Sequence, residues 1–234
     1  MFIHHHKSDD ITAHNLARMA SMDGGMDLPE DTETPILNWG KSTDLTKYTN
    51  VINRILVKDK LKSLQVMHGS GVSVPKFWDN RHIIPLQEYP VLSRQYYHTC
   101  GTDILLLKLP KNRGDYYVKY IPKVAEFRVH VIGTTSFISQ KASRYSEGTI
   151  CWNYRNGFIF RDINIYKSAR VTHAIRDLAY RAIKALGYNF GAVDIIVDEW
   201  DVPYCLEVNS APALADSRIK KYIELIKFNW GGWL

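Results

Sequence analysis

Cysteine is scarce in this chain: Cys100, Cys151 and Cys205 are the only three in 234 residues. They are odd in number, far apart and without metal-ligand spacing, which excludes a disulfide framework and a thiolate zinc cluster and suits reduced thiols. No apolar run approaches the roughly 20 residues that a membrane-spanning helix requires. The opening MFIHHHKSDD lacks the apolar core of a secretion signal. These absences point to the cytoplasm, or to a host's cytoplasm were the chain viral. A strong charge of either sign is also missing, with 30 basic against 24 acidic side chains and a net charge of +6. That excess suits a polyanionic ligand such as a nucleotide, and equally weak nucleic-acid binding. What remains, 45% hydrophobic and 23% charged residues, is ordinary for a soluble globular protein with one large or two small domains.

The most informative stretch is DIIVDEWDVPYCLEVNSAPA, residues 194 to 213. Two apolar runs flank the polar turn DEWD, the pattern of two buried strands and their connection. Successive strand side chains alternate in direction, so Cys205, Glu207 and Asn209 are expected on one face. With the turn centred between Trp200 and Asp201, Asp194 lies opposite Glu207. Two carboxylates and an amide oxygen then converge, a donor set for a hard cation such as magnesium.

The rest of the chain supplies candidate partners for that site. Residues 1 to 35 hold little signal: His4, His5 and His6 read as a mobile tail, and Ile11 to Ala20 as a short helix. PILNWGKS reads as a short buried strand and a turn. From Leu45 to Gly71 the apolar spacing predicts a helix carrying Lys60, which on local evidence is a solvated surface lysine. PVLSRQYYHTCGTDILLLKL reads as strand, turn and strand. The turn HTCGTD, with Gly101 its single glycine, is a weak phosphate nest, and Arg94 at the end of the first strand suits either phosphate or a salt bridge. In YYVKYIPKVAEFRVHV, Pro122 breaks the strand after Lys119, Tyr120 and Ile121, a hinge whose backbone suits an adenine edge. Glu126 just beyond it suits ribose hydroxyls, and Arg128 and His130 share its face. A further strand presents Lys141 and Arg144, and Asn153 precedes a turn at Gly157. Val171 to Leu186 has a continuous apolar stripe and predicts a core-packing helix.

This order of elements, closing on an aspartate and EVNSAP, resembles the ATP-grasp superfamily over about residues 50 to 215. EVNSAP is similar to the corresponding segments of D-alanine:D-alanine ligase and the ribosomal-protein glutamate ligases, and EFRVHV to that of compact ATP-grasp proteins predicted in bacteriophages. The resemblance implies an α+β fold of two subdomains whose antiparallel sheets grip ATP between them. It also implies a short, truncated N-terminal segment over 1–45 and an ATP-grasp domain over 46–234. Within that domain a smaller lid covers about 85–120 and a metal-binding subdomain about 121–215. By the same resemblance Asp194, Glu207 and Asn209 hold magnesium, with manganese the alternative. Lys60 and Arg94 contact phosphates, although Arg94 stands where the family has a lysine. Gly101 belongs to the flap, Lys119, Tyr120 and Ile121 to the adenine hinge, and Glu126 to the ribose site. Arg128 and Lys141 match catalytic basic positions facing the phosphates. Ala192 departs from the arginine of some ligases, which moves any oxyanion-stabilising role to Arg128.

The implied activity is an ATP-dependent carboxylate–amine ligase that forms an acylphosphate and releases ADP and phosphate. Its substrates would be an unidentified acid and an amine, whether amino acid, peptide or protein terminus. A phosphotransferase on the same fold would share every ATP and metal residue. A non-catalytic nucleotide- or nucleic-acid-binding module is the third reading, disfavoured because the basic residues are scattered among strands instead of clustered with aromatics. No membrane partner is expected.

Overall fold

The strands of the described residues sort into three sheets. The structure is a computed structural model and describes residues 1–5, 10–79, 84–96, 104–111, 114–143, 149–153 and 156–233. In chain order the elements are β1 (Phe2–His5), α1 (Ile11–Ala20), β2 (Asp23–Gly25), β3 (Ile36–Trp39), β4 (Val51–Ile52), α2 (Lys60–Gly69) and β5 (Phe77–Trp78). There follow β6 (Val91–Arg94), β7 (Leu105–Leu107), β8 (Tyr116–Lys119), β9 (Ala125–Ile132), β10 (Thr135–Ala142) and β11 (Ile159–Ile163). The chain closes with α3 (Ala169–Ala185), β12 (Phe190–Val197), β13 (Pro203–Asn209) and α4 (Asp216–Trp230).

The first sheet has the order β2-β1-β3-β4 and is parallel throughout. This ordering revises the reading of the first residues. Because β1 is paired on both edges and covered on both faces, His4 and His5 are buried instead of trailing in solvent. His4 Nε2 lies 3.1 Å from Thr43 Oγ1, and the His5 and His14 rings meet edge-on at 4.8 Å. His6 lies outside the described residues. The helix α1 spans the predicted residues, and the Asp10 side chain caps it by accepting from Ala13 N–H.

The helix expected over 45–71 is shorter. Val51 and Ile52 pair in β4, and α2 begins only at Lys60, where the Asp59 carboxylate accepts from Lys62 N–H. Apolar residues three and four apart do not by themselves distinguish a helix from a short buried strand and its exit. Between them Asn53 turns the chain at φ 58°. Its side chain accepts from the N–H groups of Asn189 and Phe190 and donates to the Phe190 carbonyl, while its own N–H donates to Asn189 Oδ1.

The second sheet, β5-β8-β6-β7, and the third, β11-β10-β9-β12-β13, are antiparallel. One face of the third sheet packs on α3, whose buried Ile175, Leu178, Ala179, Ala182 and Ile183 are the predicted stripe. Ser168 caps α3 by accepting from Val171 N–H, and Gly187 ends it at φ 70°. Leu61, Leu64 and Met67 of α2 join the same core. A second core unites Ile3, Leu37 and Trp39 of the first sheet with Ile132, Phe190 and Tyr222, so the first and third sheets share apolar filling. The second sheet has a small core of its own, Ile84, Val91, Leu107 and Tyr117.

Candidate functional site

A cavity of about 220 Å³ lies between the second and third sheets. The chain crosses from one sheet to the other through residues 120–124, where Pro122 stops β8 before β9 begins. Apolar side chains make one part of the wall, among them Leu92, Val118, Ile150, Ile196 and Leu206. Charged side chains make the other. Among the described residues, six cations (Lys60, Arg94, Lys119, Lys123, Arg128 and Lys141) face three carboxylates (Glu126, Asp194 and Glu207). The surplus of three positive charges makes this cleft attractive to a polyanion.

The carboxylates are held in a ladder of alternating charge. Arg128 grips Asp194 with both branches of its fork, Nε donating to Oδ1 at 2.7 Å and Nη2 to Oδ2 at 2.8 Å. Lys141 Nζ lies 3.8 Å from Asp194 Oδ2 and also donates to Glu126 Oε1. The other Glu126 oxygen accepts from Lys123. Glu207 faces Lys60 at 3.2 Å and Arg94 at 3.9 Å, and accepts from Asn209 Nδ2 at 3.3 Å.

Burial alone would lower the Arg128 guanidinium, yet the Asp194 carboxylate outweighs it and pushes the guanidinium up. Lys141 moves the same way, burial opposed by Asp194 and then Glu126. Burial would raise Asp194, but Arg128 and Lys141 hold it below the ordinary carboxylate range. For Glu207, burial and the Asp194 charge pull upward, and Lys60 and Arg94 bring it down. Both acids are therefore ionised at neutral pH.

The hairpin of β12 and β13 does place Asp194 opposite Glu207, by a less direct route than the sequence suggested. Near the turn the pairs Ile195–Cys205, Ile196–Tyr204 and Val197–Pro203 centre on Trp200, and a bulge then restores the Asp194–Glu207 pair. The extra residue is Leu206, which lines the cleft beside Glu207. Cys205 consequently leaves the face it was expected to share with Glu207. It is fully buried in the α2–α3 core, with Sγ 3.6 Å from Met67 Sδ, and burial pushes its thiol far up.

Of the predicted residues, Lys60, Arg94, Lys119, Tyr120, Ile121, Glu126, Arg128, Lys141, Asp194 and Glu207 all line this one cavity. Asn209 borders the adjoining cavity beyond Glu207. Gly101 and the rest of the turn 98–103 lie outside the described residues. In the hinge, the Lys119 N–H donates to the Lys76 carbonyl at 2.7 Å and the Tyr120 N–H to the Pro90 carbonyl at 3.2 Å. The Lys119 ammonium turns to Glu88, donating to its carbonyl at 2.5 Å. Sequence reasoning passed over Lys123, although its place three residues before Glu126 and just after Pro122 was a usable signal. It also passed over Leu206, which only the bulge brings to the site.

The donor set suits a hard cation bound together with an anion. Among the described residues no group of three His, Cys, Asp or Glu side chains converges as a metal cage. Asp194, Glu207 and Asn209 offer two carboxylates and an amide, and magnesium is ordinarily held by one or two carboxylates plus substrate phosphates.

The chain has the ATP-grasp fold. Its backbone is similar to that of D-alanine–D-alanine ligase from Bacillus anthracis, at TM-score 0.68 and 13% identity, with 99% of this chain and 96% of that one covered. It is likewise similar to the ATP-grasp ligase PsnB, solved with a phosphomimetic variant of its minimal precursor, Mg and ADP, at TM-score 0.70, 11% identity and coverage of 97% and 98%. The macrocyclase MdnC from Microcystis aeruginosa MRC, bound with precursor peptide MdnA, matches at TM-score 0.62 and 12% identity over 99% of both chains. No model of a protein family and no curated protein matches the sequence.

Proposed function

We propose that the protein is an ATP-dependent carboxylate–amine ligase. The observation that carries this reading is the cleft itself, in which an apolar wall and hinge adjoin three surplus positive charges and the Asp194–Glu207 pair. An apolar wall of this kind suits an adenosine, and the cationic part suits a triphosphate. The fold adds support, since the similar structures are ligases and some hold Mg and ADP or ATP.

In this reading Asp194, Glu207 and Asn209 hold the magnesium, which when bound neutralises phosphate charge. Lys60, Arg94 and Lys141 hold the phosphate oxygens, and the hinge at Lys119, Tyr120 and Ile121 receives the base. Glu126 adjoins the ribose, with its carboxylate already fixed by Lys123 and Lys141. Positioning and charge neutralisation are most of what phosphoryl transfer asks of a protein. A substrate carboxylate oxygen attacks the γ-phosphorus while the bond to the β-phosphate oxygen breaks and ADP leaves. The amine then attacks the acyl carbon, phosphate departs, and the amine gives up a proton. Arg128 is the cation placed to offset charge on the oxyanion of that second step.

The test is a screen of amino acids and peptides for stimulated ADP formation, with mass spectrometry of the products. An amide product supports the ligase, and a phosphorylated acceptor points to a phosphotransferase. Glu207→Ala should abolish the stimulated rate, and undiminished activity in that variant would sink the metal assignment.

A further inference from the structure

Phe160 is an apolar side chain among charges. It is half-buried in β11, yet among the described residues it belongs to none of the apolar clusters. What meets its ring is cationic. The Arg128 guanidinium carbon lies over the ring 4.8 Å from its centroid, Lys141 Nζ at 5.6 Å and the Arg218 guanidinium carbon at 5.6 Å.

Strand register brings these groups together. Phe160 lies opposite Lys141, and two residues on Asp162 lies opposite Ser139, which in turn faces Arg128. Residues two apart in a strand share a face, so the ring, the ammonium and the guanidinium emerge on the face that carries Glu126 and Asp194. Arg128 is thus held from two directions. Asp194 on β12 takes its fork from one side of β9, and Phe160 on β11 meets it from the other, past β10. Arg218 of α4 has its charge answered by Asp162, to which Nη2 donates at 2.9 Å.

The remaining two cations line the cleft, and their charges oppose one another: Arg128 weighs against the Lys141 ammonium. The negative face of an aromatic ring attracts both kinds of cation, more strongly where water is excluded. We propose that Phe160 is a positioning residue, whose ring holds Arg128 and Lys141 beside one another against their repulsion and so presents both to the nucleotide. The assignment rests on the nucleotide reading of the cleft given above. It adds a side chain that acts on the site through its cations.

The experiment is calorimetric titration of the full chain with MgADP, with Phe160 replaced by phenylalanines carrying one, two and three ring fluorines. Fluorine drains the negative face of the ring and changes its shape and apolarity little. The logarithm of the MgADP dissociation constant should rise steadily along the series. Phe160→Leu, which removes the ring, should weaken binding about tenfold, and Phe160→Tyr should keep most of the affinity. In a Lys141→Met background the dependence on fluorine should fall, since one of the two responding cations is gone. A flat fluorine series, a dependence that survives whole in Lys141→Met, or a lowered Tm in Phe160→Leu with unchanged affinity overturns the proposal and leaves the nucleotide reading standing. Should Phe160→Leu fail to fold, the fluorinated chains decide alone. Failure of the wild-type protein to bind MgADP overturns both.

Discussion

Asp194 has two partners to satisfy, a cation that it already holds and one that it would receive. In the structure Arg128 occupies both of its oxygens, and the side chains are 17% and 7% exposed for arginine and aspartate. Removing the carboxylate strands a buried guanidinium, so Asp194→Ala should lower unfolding free energy by about 3 kcal/mol, read from the urea midpoint. Asp194→Asn, which keeps an acceptor for Arg128, should lose much less stability while losing magnesium-dependent nucleotide affinity. Equal stability loss in the two variants would show that the charge itself, and not its hydrogen bonding, is what Arg128 needs. His130 makes a separate prediction. It is buried, with Nδ1 2.9 Å from the Tyr222 hydroxyl and its ring stacked on Phe137. Burial, reinforced by Arg128 and Arg218 and opposed by Asp194 and Asp162, lowers it from 6.5 to about 3. Between those values the unfolded chain binds the extra proton. The stability that His130 contributes is thus complete above pH 6.5 and falls toward pH 3 by about 1.4 kcal/mol per pH unit. His130→Gln should flatten that slope in urea titrations between pH 6.5 and 5, above the range in which the carboxylates begin to protonate.

At the level of elements, β1 is the sharpest test of how the chain is built. It lies between β2 and β3 and carries the buried Ile3. Deleting residues 1–5 should leave two unpaired edges and open the core around Trp39, giving loss of cooperative unfolding by circular dichroism. A tail could be removed without effect. The sequence carried much of this architecture and stopped at identifiable places. The α3 stripe, α1 and the β12–β13 hairpin were legible because their periodicity runs long enough to distinguish helix from strand. His4 and His5 were not, because a polar residue in an internal strand is satisfied only by partners far along the chain, Thr43 in the case of His4. The site was legible as a set of residue types in order. The Leu206 bulge was not, since it depends on a local register that composition does not encode.

For the whole molecule, the charge surplus of the cleft predicts linkage between ligand and stability. MgADP at a hundred times its dissociation constant should add about 2.7 kcal/mol. For a chain of this length that is a rise of roughly 5–10 °C in Tm by scanning calorimetry. Glu207→Ala should lose most of the rise. Raised salt should shrink it too, because surface-accessible charges are screened. The small core that holds Val91 and Leu107, beside the larger core under β9 and β12, predicts faster amide hydrogen exchange in β6 and β7 than in β9 and β12.

The reciprocal clasp of Asn53 with Asn189 and Phe190 has a bearing on how the chain can be recombined. Four hydrogen bonds join residues more than 130 positions apart, and they are made by one side chain and one N–H held at positive φ. The first 53 residues are therefore no interchangeable cassette. A chimaera exchanging the parallel sheet for that of another protein of this fold should be joined between Ile52 and Asn53, so that Asn53 stays with Asn189 and Phe190. Crossovers placed after it, within 54–59, would put a foreign residue in place of Asn53 and leave the N–H groups of Asn189 and Phe190 unanswered.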